Sequence, residues 1–355
     1  MELNYYLSPI KKLLRERFPK GSIFESVHFL HEGSVDISAD FFLLSVSPKE
    51  DCTFAIQCRN FLYRLFPRFE VAICDCGSLI SGKTKKDTES ALNFVYEQLS
   101  SFGKPIILLD SRDFLLGLRM YLGMNAGEIS ILSNKLDFEG IQIADLKERC
   151  NSLFNFLDLQ TYLVSEDSVN LVIERGDSVI RHGQLIGNRF FVEPYLRTSK
   201  ALFVDLSVLG GSIVDNYETG SANGIDAHDL CQYSYYHGRS DVSNFMFFSR
   251  TALGELASRE AYYADIVAQS VWHYIVGRGH ETIFKENSPD YKSYHVGNIH
   301  DDVEFCFYED VVASIWWVKI ENKENSKVIA SSKEEYRQML NGEVSERIVR
   351  AISHI

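Results

Sequence analysis

The feature that most restricts this chain is an alternation. Short apolar runs at 41–46, 70–74, 105–109, 128–132, 170–173, 201–206 and 242–248 are separated by amphipathic stretches. Short apolar runs read as strands covered on both faces, and strands alternating with helices build βαβ units around a parallel sheet. The window 86–100 places Leu92, Phe94, Val95 and Leu99 at helical spacing, and 252–275 does the same with Leu253, Leu256, Tyr263, Ile266, Val267 and Trp272. These are the expected covering helices. With only 7 prolines and no low-complexity linker, no break is expected before residue 280, so 1–280 reads as one doubly wound α/β domain. The remainder, 281–355, changes character: alternating segments at 303–308 and 315–320, a charged turn at 321–327 and a helix near 333–352. It reads as a small α+β extension of an antiparallel sheet and one helix. Trp316 and Trp317 fall on opposite faces of a strand there, and are expected to anchor the extension to the main sheet.

Charge narrows the partners. The chain has 36 Lys+Arg against 49 Asp+Glu, a net −13 with no basic run, which argues against nucleic acid and anionic membrane surfaces. No apolar stretch reaches the roughly 18–20 residues of a spanning helix, so no membrane insertion is expected. Near the N-terminus, Lys11, Lys12, Arg15 and Arg17 interrupt the apolar residues, which is not a signal-peptide pattern. The 7 cysteines (52, 58, 74, 76, 150, 231, 306) are odd in number and lack a paired C-x-x-C framework, the pattern of reduced thiols in a cytoplasmic protein. Cys74 and Cys76, two apart, share one strand face as small core hydrophobes. A protein partner or a small molecule of unknown identity is the expected ligand.

Two motifs carry possible chemistry. Gly77-Ser78-Leu79-Ile80-Ser81-Gly82-Lys83-Thr84 fits G-x-x-x-x-G-K-[ST], the phosphate-cradling loop between a strand and a helix, and Asp110 at the end of an apolar run could serve its magnesium. Asp87 or Thr88 makes a good N-cap, however, so the helix is expected to start too late to aim its dipole at a phosphate, and the stretch reads as a surface loop. Asp226-Ala227-His228-Asp229 mixes carboxylate and imidazole as a metal site would. Its lead-in, 218–224, carries two glycines and Asn223-Gly224, so Asp226 reads as a helix N-cap with His228 in an exposed first turn.

From about Val35 to Val276 the order of segments resembles the ureohydrolases: arginases, agmatinases and especially formimidoylglutamases. The matching stretches are Asp75-Cys76-Gly77 followed by Gly82 and Thr88, the strand at 105–109 and Glu193-Pro194-Tyr195-Leu196-Arg197. Further on come Phe203-Val204-Asp205-Leu206-Ser207, Asn223-Gly224-Ile225 and Val271-Trp272-His273-Tyr274-Ile275. The resemblance implies a three-layer arginase-like α/β fold and a manganese pair at the carboxyl ends of the strands, activating a hydroxide that hydrolyses linear amidine C–N bonds.

The family draws its metal ligands from G-G-D-H, D-A-H-x-D and S-x-D-x-D. Carried over residue by residue, Arg112 stands in place of the first histidine, Ser133 of an aspartate, Lys135 of a histidine and Ser207 of an aspartate; Asp137 and Asp205 remain. Arg250 stands near the family's further acid. Guanidinium and ammonium groups have no lone pair for a cation. The expectation is therefore a catalytically inactive binding or scaffold protein without cofactor, which self-associates as ureohydrolases do. Arg112 and Lys135 would be salt-bridged to Asp137 and Asp205, and losing Arg112 from such a buried set would cost about 3–5 kcal/mol. The rival readings are a working manganese hydrolase, a nucleotide site at Gly77, Gly82, Lys83 and Thr84, and a Ser-Lys dyad of Ser133 or Ser207 with Lys135.

Overall fold

The computed structural model describes residues 3–10, 18–30, 36, 38–46, 52–138, 140–146, 151–210, 222–250, 260–280, 282–300 and 303–352, without the side chains of 4, 144 and 298–300. The sequence readings at 11–17, 218–221, Cys150, Leu253 and Leu256 lie outside these residues.

Ten strands form the central sheet: β1 (Leu7–Ser8), β2 (Val27–Phe29), β3 (Phe41–Ser45), β4 (Ile73–Leu79), β5 (Ile106–Leu108), β6 (Gly127–Leu132), β9 (Ser152–Leu159), β10 (Ser178–Arg181), β11 (Ala201–Asp205) and β12 (Phe245–Ser249). A two-stranded hairpin, β7 (Asp137–Phe138) and β8 (Ile141–Gln142), follows β6. The order in the sheet is β1-β4-β3-β5-β12-β11-β6-β9-β10, with β2 also on β4, and every pairing is parallel except β1 with β4. This is the mainly parallel α/β sheet that the alternation of apolar runs implied.

Period-two side-chain alternation fills two separate cores. Leu43, Ile107, Leu202, Val204, Met246 and Phe248 face one layer, made by α1 (Thr53–Arg64), α8 (Ala227–Gly238) and α9 (Glu260–Gly279). Their neighbours Phe42, Leu44, Ile106, Leu108, Phe203, Phe245 and Phe247 face the other, made by α2 (Lys85–Ser100), α3 (Phe114–Met124) and α5 (Glu166–Glu174). Helices α8 and α9 cross at glycines. A Cβ on Gly238 would stand 2.2 Å from the Tyr274 carbonyl oxygen, and one on Gly277 2.4 Å from that of Tyr235. The short helices α4 (Ile143–Leu146), α6 (His182–Leu185) and α7 (Glu193–Thr198) complete the main body.

The sequence reading errs at three places. The run 170–173 is no strand: it lies inside α5, capped by Ser165, whose side chain accepts from the Ser168 amide. The strand of that region is β9, where Asn155 and Asp158 interrupt the apolar pattern. The strand expected at 70–74 begins at Ile73 and runs to Leu79, because Asp75, Gly77 and Ser78 are satisfied inside the protein.

That last case rests on a buried ion pair. Arg59 and Asp75 are fully buried: Arg59 donates from Nε at 2.9 Å to Oδ2 and from Nη2 at 3.0 Å to Oδ1. Tyr63 donates its hydroxyl to Oδ2 at 2.6 Å and the Gly77 amide donates to Oδ1 at 2.9 Å. Arg59 Nη2 also donates to the Gly77 carbonyl at 2.8 Å. These bonds hold a bulge where β4 slips against β3 between Leu43 and Ser45. Gly77 sits there at φ +83, and the Ser8 carbonyl oxygen lies 2.2 Å from where a Cβ would be.

The C-terminal part is a four-stranded antiparallel sheet of β13 (Tyr291–His300), β14 (Val303–Asp310), β15 (Ile315–Glu321) and β16 (Ser326–Ser331), with α10 (Lys333–Leu340) and α11 (Glu346–Ile352). Two helices replace the single one expected, α10 ending at Asn341 and Gly342, whose φ is +83. Trp316 and Trp317 do take opposite faces of β15, but of the two rings it is that of Trp317 that meets a main-body side chain among the described residues. Trp316 stacks on Tyr294 and Tyr336 of its own unit, while the Arg197 guanidinium of α7 lies 4.1 Å from the Trp317 ring centroid. Arg197 also donates to the Trp316 carbonyl at 2.6 Å and pairs with Glu193 at 2.6 Å. Arg347 of α11 donates to the Pro194 carbonyl at 3.4 Å and to that of Ala330.

Among the described residues no helix is long and apolar enough to cross a membrane. The six described cysteines are free. Arg59→Met leaves Asp75 buried without its cation and is expected to lower the unfolding free energy by about 3–5 kcal/mol in a denaturant titration. The double change with Asp75→Asn is expected to recover part of that loss.

Candidate functional site

Parallel strands bring their following loops to one edge, so the residues after β5, β6, β11 and β12 meet at the carboxyl end of the sheet. Asp110, two residues after the end of β5, is fully buried. Arg250, immediately after β12, grips it with Nε at 2.7 Å from Oδ1 and Nη2 at 3.0 Å from Oδ2. The same guanidinium reaches Glu260 at 3.2 Å and lies 4.1 Å from the Phe54 ring centroid. Burial opposes the Arg250 charge, but Asp110 and Glu260 outweigh it and raise its pKa.

Next to this pair, β11 and β6 bring Asp205 and Ser207 beside Ser133, Asn134 and Lys135. Asn134 donates from Nδ2 to the Ser207 carbonyl at 3.1 Å. Ser133 closes a tight local turn, its Oγ donating to the Lys135 carbonyl and accepting from the Lys135 amide, both at 3.0 Å. Asp205 is fully buried, and its Oδ1 accepts from the Ser207 amide at 3.1 Å. Three buried oxygens here have no hydrogen-bond partner among the described residues: Asp205 Oδ2, Ser207 Oγ and Asn134 Oδ1. Burial pushes the Asp205 carboxyl up to about 6, although the Ser207 amide and the half-buried Lys135 ammonium pull it down.

The six positions picked from the sequence thus divide. Ser133, Lys135, Asp205 and Ser207 come together. Asp137 does not join them: it is exposed at the start of β7, where its carboxylate accepts from the Gly140 amide at 2.9 Å and from Gln142 Nε2 at 3.4 Å across the hairpin. Arg112 is exposed and lines a cavity shared with Lys83 and Lys85, so the reason to expect a buried-pair cost from its removal is gone.

Nor does Gly77–Thr84 form a phosphate cradle. Gly77, Ser78 and Leu79 are strand residues, the last two paired with β1. The Gly82 amide donates to Thr88 Oγ1 at 3.0 Å and the Thr84 amide to Asp87 Oδ2 at 3.0 Å. The capping residue of α2 is Thr84 rather than Asp87 or Thr88, with Asp87 answering it in a reciprocal box. Asp226, His228 and Asp229 hold potential ligand atoms within 4.8 Å of one another, yet Asp226 caps α8, its Oδ1 accepting from the Asp229 amide at 2.7 Å.

Sequence reasoning missed the network around Asp158, at the carboxyl end of β9. Asp158 is fully buried with φ +59, a left-handed conformation that a non-glycine residue rarely holds. His182 Nδ1 lies 2.5 Å from its Oδ1, while Tyr233 at 2.8 Å and Arg189 at 3.1 Å donate to Oδ2. Arg189 continues to Asp229 at 2.9 Å. The available signal was a lone carboxylate closing an apolar run.

No family model matches the chain, and no curated protein matches it. Solved structures do. The formimidoylglutamase of Bacillus subtilis superposes with a TM-score of 0.61 at 11% identity, over 77% of this chain and 99% of that one. The oxidized formiminoglutamase of Trypanosoma cruzi with Mn2+2 at pH 8.5 gives 0.59 at 16% identity, over 71% and 97%. The agmatine ureohydrolase of Thermoplasma volcanium gives 0.54 at 13%, over 76% and 98%. The chain has the arginase-like fold of these proteins, as its resemblance to ureohydrolases implied.

Asp205 supplies a pH test. Its folded pKa near 6 lies above the ordinary carboxyl value of 3.8, so the folded protein holds the extra proton between them. Its contribution to stability is then complete below the lower value and lost as pH rises through the higher, by roughly 3 kcal/mol. Asp205→Asn cannot titrate. Unfolding measured from pH 4 to 8 is expected to show the variant gaining on the wild type up to about pH 6–7 and holding a constant advantage beyond.

Proposed function

We propose that this protein keeps an arginase-like body without the bimetallic centre, and works by binding, as a scaffold or regulatory partner in the cytosol that self-associates. The observation that carries this reading is the placement of fixed cations against the carboxylates of the sheet's carboxyl edge: Lys135 acting on buried Asp205, and Arg250 clamped on buried Asp110. Where a metal pair would neutralise aspartates, ammonium and guanidinium groups supply positive charge with no lone pair and no open coordination position. The donor set does not fit two manganese ions. Asp137 is turned to solvent, and Ser133 Oγ is engaged in its own turn. No hydrolytic step is derived through a metal for this chain. A Ser-Lys nucleophile built on Ser133 gains nothing either, because its Oγ is engaged in the turn at Lys135.

The rival is a metal-dependent hydrolase of linear amidines. Its support is the trio of unpartnered oxygens, Asp205 Oδ2, Ser207 Oγ and Asn134 Oδ1, which are hard donors of the kind a divalent cation takes. Metal content separates the two. Protein incubated with manganese and then dialysed is expected to retain no stoichiometric metal and to release no urea or formamide product from arginine, agmatine or formiminoglutamate. About two manganese ions per chain would overturn the proposal.

A further inference from the structure

One buried cation of this fold lacks what the others have. Among the described residues the buried arginines are Arg59, Arg197, Arg239 and Arg347. Arg59 is paired with Asp75, Arg197 with Glu193 and Arg347 with Glu335. Arg239, the residue that closes α8, is only 8% exposed and forms no ion pair among the described residues. Its Nη2 donates to the Ala313 carbonyl at 3.3 Å, and its guanidinium lies 5.8 Å from the Tyr235 ring centroid. Its Nε is buried without a hydrogen-bond partner. Asp241, the nearest acid in the sequence, is exposed and does not pair with it. A guanidinium withdrawn from water this far ordinarily requires a counter-charge.

Two hydroxyls beside it are also left over. The Thr282 amide donates to the Arg239 carbonyl at 3.3 Å, and the Thr282 Oγ1 is buried without a partner. Tyr236, one helical turn before Arg239, has a buried Oη in the same condition, which Gln232 approaches without completing a hydrogen bond. Burial raises the pKa of this hydroxyl, and the charge of Arg239 reaches it and acts the other way. The group of donors stands at a seam. The end of α8 belongs to the main body, Ala313 lies in the turn between β14 and β15, and Thr282 lies on the segment that joins the two parts.

Two things are missing here, an acceptor and a negative charge. A guanidinium can only donate, and both hydroxyls are able to donate to the same atom. Water would answer the first lack and not the second. We infer that a small inorganic anion of the halide class, such as chloride, is held at this seam by Arg239 Nε, Tyr236 Oη and Thr282 Oγ1, and ties the C-terminal sheet to the main body. One monovalent ion matches the one uncompensated charge, and a spherical acceptor accommodates donors arriving from different elements. The inference goes beyond the proposed function and does not depend on it.

The test measures the unfolding midpoint of the full chain as chloride replaces gluconate at constant ionic strength, and locates the ion by anomalous scattering from crystals soaked in sodium bromide. A midpoint that rises saturably with chloride is expected, together with a bromide peak in contact with Arg239 Nε. Thr282→Val is expected to raise the half-saturating chloride concentration about tenfold, the loss of one hydrogen bond to a charged group. Arg239→Gln is expected to abolish the response, and Lys292→Ala, which removes an exposed charge on β13, to leave it unchanged. If Arg239→Gln does not fold, Thr282→Val and the bromide peak decide the matter. Equal midpoints in chloride and gluconate, a response retained by Arg239→Gln or weakened as much by Lys292→Ala as by Thr282→Val, or a seam that holds only water overturns the inference.

Discussion

A parallel sheet sealed on both faces has no room for a charge that brings no partner, and this constraint orders the rest of the molecule. Its strands spend their side chains on two apolar layers, so ionisable groups gather at the strand ends. The exception, Asp75 in the middle of β4, survives because Arg59, Tyr63 and the Gly77 amide satisfy its carboxylate completely. That network in turn fixes the bulge by which β4 accommodates β1 and β3 at once.

The carboxyl edge follows the same rule, strand by strand. Asp110 is held by Arg250, Asp158 by Arg189, His182 and Tyr233, and Asp205 feels Lys135. Asp205 is the least satisfied of the three, with one oxygen unpartnered and a raised pKa.

Much of the fold was legible because burial on both faces writes itself into short apolar runs: β3, β5, β6, β11 and β12 stand close to where those runs lie. The failures have identifiable causes. The three apolar residues Leu171, Val172 and Ile173 serve a helix as well as a strand, and the Ser165 cap decides the matter. Strand β9 was hidden because Asn155 and Asp158 look like loop residues until their partners, Glu128 for the one and His182, Arg189 and Tyr233 for the other, are seen across the fold. At the site, Ser133, Lys135, Asp205 and Ser207 were picked through the resemblance to ureohydrolases, and they come together because they stand at the carboxyl ends of the neighbouring strands β6 and β11. The pairing of Asp110 with Arg250 was not, since 140 residues separate them. Asp137 was misjudged because a hairpin immediately after the strand carries it outward.

Arg197 adds a consequence for how the chain matures. The guanidinium is anchored to Glu193 within its own helix, but its remaining contacts are the Trp316 carbonyl and the Trp317 ring, both supplied by the far C-terminal sheet. On the ribosome, the main body would therefore carry a guanidinium paired with Glu193 but short of its remaining partners until β15 and its neighbours emerge from the exit tunnel. Completion of this contact waits for the synthesis of the C-terminal sheet.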